Sequence, residues 1–339
     1  MVFKRLLGSL GVGGPTVDTV LDSGPFLPGG SLTGQVHLQG GSADFDIDHI
    51  TLELVARVEA EHEEGESEGA IAFERFTVAG SFRLAEGERR SLPFTVALPW
   101  ETPATELHGQ PLGIVLGVRT ELSVAGAKDK GDLDPLTIGP LPAQEAILEA
   151  LGQLGFGFKS ADLEYGHIGG TGQTLPFYQE IELAPAPQYA HAMRELEVTF
   201  LANPGGMEVV LEADKPGGFF SGGHDALNRH AVGHEGAAHR DWSAAVDAWV
   251  RQLVAHRGHL AASAPYGQPG PCGEGSAHKD NHGHHGHEHH GGHHSGPGMG
   301  TAIAAGAAGL AVGVAGGLVA AEVVDEIGDA FEDEGDEDA

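Results

Sequence analysis

A chain of 339 residues with 40% hydrophobic content can fill the cores of two ordinary domains and still leave a tail. Its 49 acidic residues outnumber 18 basic ones, and the resulting net charge of −31 repels phosphate backbones and anionic lipid, which argues against nucleic acid as a ligand. Aromatic residues make up only 6%, while glycines number 54 and prolines 19, a balance that disfavours helical bundles and suits short strands punctuated by turns.

The opening MVFKRLLGSLGVGG places Lys4 and Arg5 before a short apolar stretch broken by Gly8, Gly11 and Gly13. It lacks a small-residue cleavage site and reads as a lead-in to the first strand rather than a signal peptide. From Val17 to Ile138, apolar and polar residues alternate with the period of a half-buried strand. Leu32, Gly34, Val36 and Leu38 form one row, and Ile50, Leu52, Leu54, Ala56 and Val58 a second. Further rows are Phe76, Val78, Phe82 and Leu84; Leu92, Phe94, Val96 and Leu98; and Ile114, Leu116, Val118, Leu122 and Val124. The turns between them, among them Pro28-Gly29-Gly30, Gly40-Gly41 and Glu86-Gly87-Glu88, are too short for helical crossovers, so the sheets are antiparallel.

Residues 143–154 change the period: Ile147, Leu148, Leu151 and Leu154 recur at helical spacing and Gly155 can end the run, which makes this an inter-domain helix. Strands resume at Phe177, Ile181 and Leu183, at Leu196, Val198 and Phe200, and at Met207, Val209 and Leu211, giving a second, shorter sandwich. Asp241 caps an expected helix through His256, whose stripe of Trp242, Val246, Trp249, Val250 and Leu253 docks on that sandwich or, alternatively, meets a partner.

Beyond residue 260 the composition shifts. Residues 261–298 form a Gly/Pro/His-rich linker, and 299–321 an Ala/Gly-rich segment with Gly309, Gly313 and Gly317 at four-residue spacing. Residues 322–339 hold ten acidic and no basic residues and read as a solvating tail. The zipper segment is long enough to cross a bilayer, but Ala and Gly supply little transfer energy, so self-association of a small-residue helix competes with membrane insertion. The single cysteine, Cys272, allows no intrachain disulfide and fits the cytosol.

Three motifs invite chemistry. Gly65-Glu66-Ser67-Glu68-Gly69 matches the nucleophile-elbow pattern, but it lies in a glutamate-rich hairpin at 59–68 whose field opposes an oxyanion. His234-Glu235 and His239 imitate a zinc-protease motif at the wrong spacing. His230 and His234 have the right spacing near Asp225 and Asp241, but Gly233 and Gly236 make a continuous helix doubtful. The tract at 278–294 carries nine histidines. Its imidazoles at His282, His284, His285, His287, His289, His290, His293 and His294 are candidate ligands for Ni, Zn or Co, against the plainer reading of a polar spacer with incidental metal affinity.

The segments PGGSLTGQV at 28–36 and LPFTVALPWETPAT at 92–105 resemble strand–turn signatures of arrestin-fold proteins. With the opening FKRLLGSLGVGGPTVDTVL, VRTELSVAGAKDKGDLDPL at 118–136, ILEALGQLGFGFKSADLEYG at 147–166 and LPFYQEIEL at 175–183, the chain resembles the bacterial sporulation-control proteins of the stage-zero M type. The resemblance implies an all-β chain of two arrestin-like antiparallel β-sandwich domains joined by a short helix, at 1–140 and 141–260, with a low-complexity C-terminal tail. It also implies a cytoplasmic, non-catalytic regulator without a required cofactor. The expected function is that of an adaptor binding protein partners through sheet edges and loops. Two alternatives stand beside it: metal handling through the histidine tract, and a membrane-tethered adaptor through 299–321.

Overall fold

The computed structural model describes residues 13–62, 65–213, 228–237 and 240–263. In chain order it contains β1 (Thr16–Leu21), β2 (Ser31–Gln39), β3 (Phe45–His62), β4 (Gly65–Ala79), β5 (Phe82–Leu84), β6 (Arg89–Ala97), β7 (Glu106–Leu107), β8 (Gln110–Pro111), β9 (Leu116–Val124) and β10 (Lys130–Pro135). Then come helix α1 (Pro142–Leu154), β11 (Gly157–Tyr165), β12 (Phe177–Ala184), β13 (Leu196–Asn203), β14 (Gly206–Ala213), β15 (Asn228–Val232) and helix α2 (Ser243–Ser263).

The first sandwich follows from period two. In β2 the predicted row Leu32, Gly34, Val36 and Leu38 is buried, while Gln35 and Gln39 are exposed. The antiparallel sheet β1-β2-β6 lays this row over β3, β5 and β9, and the buried side chains of both layers form one core from Leu32 to Ile138. The Thr19 and Thr120 hydroxyls meet at 2.7 Å between the two layers, a buried polar pair that satisfies itself. The proline-glycine turn packs on the Leu-Pro strand end: Gly29 N–H donates to Pro99 O, and Gly29 has φ +70°. A Cβ at Gly29 would lie 2.4 Å from the Trp100 ring, so only glycine fits here.

β3 is the spine of the molecule. Its residues 47–56 pair with β9, and beyond that stretch Glu59 pairs in parallel with Glu164 of β11. That junction fuses the two units into one ten-stranded sheet ordered β10-β9-β3-β11-β12-β13-β14-β15, with β4 and β5 on the far edge of β3. The cores interleave as well, because Leu163, Leu175 and Phe177 from β11, β12 and the loop between them join the first core. Phe177 meets Phe73 edge-on at 5.4 Å.

In the second unit the two helices form the layer facing the sheet. Helix α1 starts with Pro142 at its first position, where the Gln144 side chain accepts the Leu141 N–H at 2.7 Å, and it ends at Gly155 with φ +99°, the glycine that the sequence marks as its stop. Helix α2 begins where the Asp241 carboxylate accepts Ser243 N–H at 3.0 Å and runs to Ser263, past the expected end at His256. The predicted stripe docks inward: Trp242, Val246, Val250 and Leu253 are buried in the second core, where α2 meets β14, β15 and α1, each contributing about 1.5–3 kcal/mol of burial. Trp100, from the first unit, packs on this second core and stacks on His234 at 4.9 Å.

Candidate functional site

The outer face of the fused sheet carries the unusual chemistry. Alternation along β12 sends Phe177, Ile181 and Leu183 into the cores and Tyr178, Glu180 and Glu182 to the opposite side. On β13 and β14 the same parity places Glu197 and Thr199, and Glu208, Val210 and Glu212, outward; on β11 it places Asp162 and Glu164 there. Register then sets like charges side by side: Asp162 opposite Glu180, Glu182 opposite Glu197, Glu197 opposite Glu212, and Glu164 opposite Glu59 across the junction. Directly opposed like charges are destabilising in a sheet, so the arrangement costs stability.

The outer face of the first unit balances its acids. Glu53 pairs with Arg119 and, at 3.3 Å, with Arg75, which also reaches Glu121 at 3.3 Å. On the second unit's part of this face Lys159 pairs with Glu182 and Glu195, and Arg229 lies 3.9 Å from Glu208. The loop between β11 and β12 folds over part of the acidic surface. Arg229 of β15 holds it by donating to Gly169 O and to Gly170 O. Gln173 ties the loop to itself through Gly166 O and Leu175 O, and Glu101 of the first unit accepts the N–H groups of Thr174 and Leu175. Beneath it lies a cavity of about 150 Å³ lined by Tyr178, Glu180, Glu197, Thr199 and Glu212 with Ile168 and Val210.

Burial pushes Glu180 up to about 9, with the charges of Glu197, Asp162, Glu164 and Glu212 adding to it, so it holds a proton at neutral pH. Burial, followed by the acidic neighbours Glu180, Glu164, Glu212 and Glu197, raises Tyr178 as well. Oxygens of Asp162, Glu164 and Glu180 lie within 4.8 Å of one another, an oxygen-only donor set that suits a hard divalent cation rather than Ni, Zn or Co. A second, smaller group sits where β10 meets β1. Asp132 accepts Thr19 N–H at 2.6 Å, and burial followed by the charges of Asp132 and Asp18 raises the Asp134 carboxyl well above the usual range.

The expected site residues fare differently. Gly65–Gly69 opens β4 and pairs with β3, so no strand–turn–helix elbow surrounds Ser67. His230 lies on β15 with its ring stacked on Trp249 at 4.3 Å, while His234 lies in the following turn at 2.7 Å from Asn203 O, so the two do not share a helix face. Asp225, His239, the histidines from His282 to His294 and the segment 299–321 lie outside the described residues. No helix among the described residues is long and apolar enough to cross a membrane. Sequence reasoning did not single out Asp162, Glu164, Glu180, Glu197 and Glu212. Their signal is an acid opposite the apolar row in each of four strands, and it becomes a cluster only once the register is known.

A family model described as SpoOM protein matches residues 3–217. The chain belongs to the SpoOM protein family. The sporulation-control protein spo0M of Bacillus subtilis (strain 168) is 36% identical over 215 residues, covering 63% of this chain and 80% of the relative. The crystal structure of Spo0M from Bacillus subtilis superposes with a TM-score of 0.58 at 28% identity, covering 75% of this chain and all of that one. The family likeness read from the strand–turn signatures is thereby borne out, and with it the fold class of two antiparallel β units joined by a short helix. The SpoOM match ends at residue 217, so α2 and everything after it lie outside the matched region.

Proposed function

We propose that the chain is a non-catalytic cytoplasmic regulator of the sporulation-control type that works by binding protein partners. The family supports the developmental role. The observation that carries the binding mode is the parallel junction at Glu59 and Glu164, which sets acidic residues of both units on one face of one continuous sheet. Such a face offers a broad negative field to a cationic partner surface and holds its geometry through two shared cores.

Proximity labelling in the native cell during entry into sporulation tests this, using the full chain and its Glu197→Lys/Glu212→Lys variant. The expected result is a set of labelled proteins that the charge reversal depletes, together with altered sporulation efficiency. An unchanged set and unchanged sporulation would refute the reading.

A further inference from the structure

The long edge of β4 names the kind of partner, an inference that rests on the protein-binding reading above. Arg57 of β3 donates its N–H to Val115 O at 3.1 Å, so its backbone groups point away from β4. Arg57 is paired with Ala70, which makes this a non-hydrogen-bonded pair of the antiparallel ladder and turns the N–H and C=O of Ala70 outward. By period two the backbone groups of Glu66, Glu68 and Ala72 also project from that edge. Among the described residues β4 pairs only with β3.

Natural sheets blunt such edges with charged side chains, lysine above all, and with proline or bulges. The run GESEGAIA at 65–72 has no lysine, proline or bulge, its charges are acidic and so repel anionic strands but attract cationic ones, and its register with β3 is unbroken from His62 to Val55. The first bulge comes at Phe73, because Ala72 and Glu74 oppose the consecutive residues Val55 and Leu54. Past it the edge is closed differently, since Arg75 N–H donates to the Glu74 carboxylate at 3.0 Å.

The two sides of this run differ. Glu68 is opposite Glu59, a like-charge pair that a cation on a neighbouring strand would relieve. On the other side, a Cβ at Gly69 would meet nothing within 4 Å, and Ile71 beyond it is only half-buried. We infer that the β4 edge from Glu66 to Ala72 takes up, as an added strand, an extended segment of a partner protein in which lysine or arginine alternates with apolar residues. The cations lie beside Glu68, and the apolar residues fill the space over Gly69 and along Ile71. A second copy of the chain is the poorer occupant, because each copy carries a net charge of −31.

The probe is a heptapeptide of alternating lysine and valine, added to the full chain at physiological ionic strength. Hydrogen exchange is expected to slow at the amides of Glu66, Glu68, Ala70 and Ala72. Affinity is expected to fall about tenfold or more in Glu68→Lys and in Ala70→Pro, which removes one outward N–H and no β3–β4 bond. Should Ala70→Pro fail to fold, the wild-type chain with a peptide N-methylated along its pairing edge decides: equal charge but lost binding supports main-chain pairing, and equal binding overturns it. Protection centred on residues 162–212, or unchanged affinity in folded Ala70→Pro, also overturns it. Slow exchange at 66–72 without peptide overturns it too, assigning the edge to the protein's own segment or, if dependent on concentration, to a second copy. In the cell, a partner set retained by Ala70→Pro sinks this inference and leaves the protein-binding reading intact. A wild-type chain that labels no partner sinks that reading whatever the peptide does.

Discussion

Replacing Glu180 by glutamine tests the electrostatics of the covered acidic cluster. The carboxyl of Glu180 rises from an ordinary 4.5 to about 9, with burial as the first cause. Between those values the folded chain holds a proton that the unfolded chain has released, so stability falls as pH rises and levels off above the upper value. At pH 7 the interval already crossed is about 2.5 pH units, which at about 1.4 kcal/mol per unit bounds the loss near 3 kcal/mol. Because the neighbouring carboxylates share part of that strain, the neutral isostere is expected to recover about 1–2 kcal/mol at pH 7, more at pH 9 and almost nothing at pH 4.5. Urea denaturation of the wild type and Glu180→Gln at several pH values, with the slope of the transition held equal, reads the difference directly. A gain that does not grow with pH, or a loss at pH 9, would refute the argument that Glu180 is held protonated by its surroundings.

Arg229→Ala removes two bonds to the loop carbonyls of Gly169 and Gly170, and is expected to speed hydrogen exchange at residues 168–174 about tenfold while changing global stability by less than about 1 kcal/mol. Gly29→Ala forces a Cβ into the Trp100 ring at positive φ and should cost more than about 2 kcal/mol; Trp100→Ala alone should cost about 2–3. The double variant should lose less than the sum of the two, and strict additivity in a double-mutant cycle would show that the contact is not the cause. Asp134→Asn at the β1–β10 meeting should gain stability as pH rises, by the same sign as Glu180, because the buried carboxyl is raised; a thermal midpoint shift that is flat across pH would contradict it.

Local pattern carried much of this fold. The buried row of β2, the Gly155 stop of α1 and the inward stripe of α2 all follow from period, cap chemistry and apolar spacing. The extension of α2 to Ser263 did not follow, since residues 257–263 carry no strong apolar period. The parallel junction was beyond local reading, because a single register pair joins Glu59 to Glu164 across more than a hundred intervening residues. Phe177 shows the consequence: its alternation marks it as inward, yet nothing local says that it enters the first core through Phe73 rather than the second. The acidic cluster was hidden for the same reason. The passages SADLEYG, FYQEIEL, ELEVTF and EVVLEA each show an acid opposite an apolar row, but that pattern ordinarily marks a solvated face. The register stacks those acids, and the loop between β11 and β12 covers part of them.

The β4 edge and the cluster around Glu180 lie on the same sheet, so it matters whether they act as one site. Three strand spacings separate β4 from β12 by way of β3 and β11, about 14 Å at ~4.8 Å each. That exceeds the screening length of roughly 8 Å at physiological ionic strength, and the loop covers the Glu180 end of the path. A cation placed beside Glu68 therefore has little purchase on the proton at Glu180. Glu180→Gln should leave the affinity of the lysine–valine peptide within about twofold, whereas Glu68→Lys should reduce it about tenfold or more, as titrated by fluorescence anisotropy under identical salt. Equal losses in the two variants would mean that the peptide reads the summed field of the whole face rather than one strand edge, and the recognition of an extended segment would then have to be given up in favour of diffuse charge attraction.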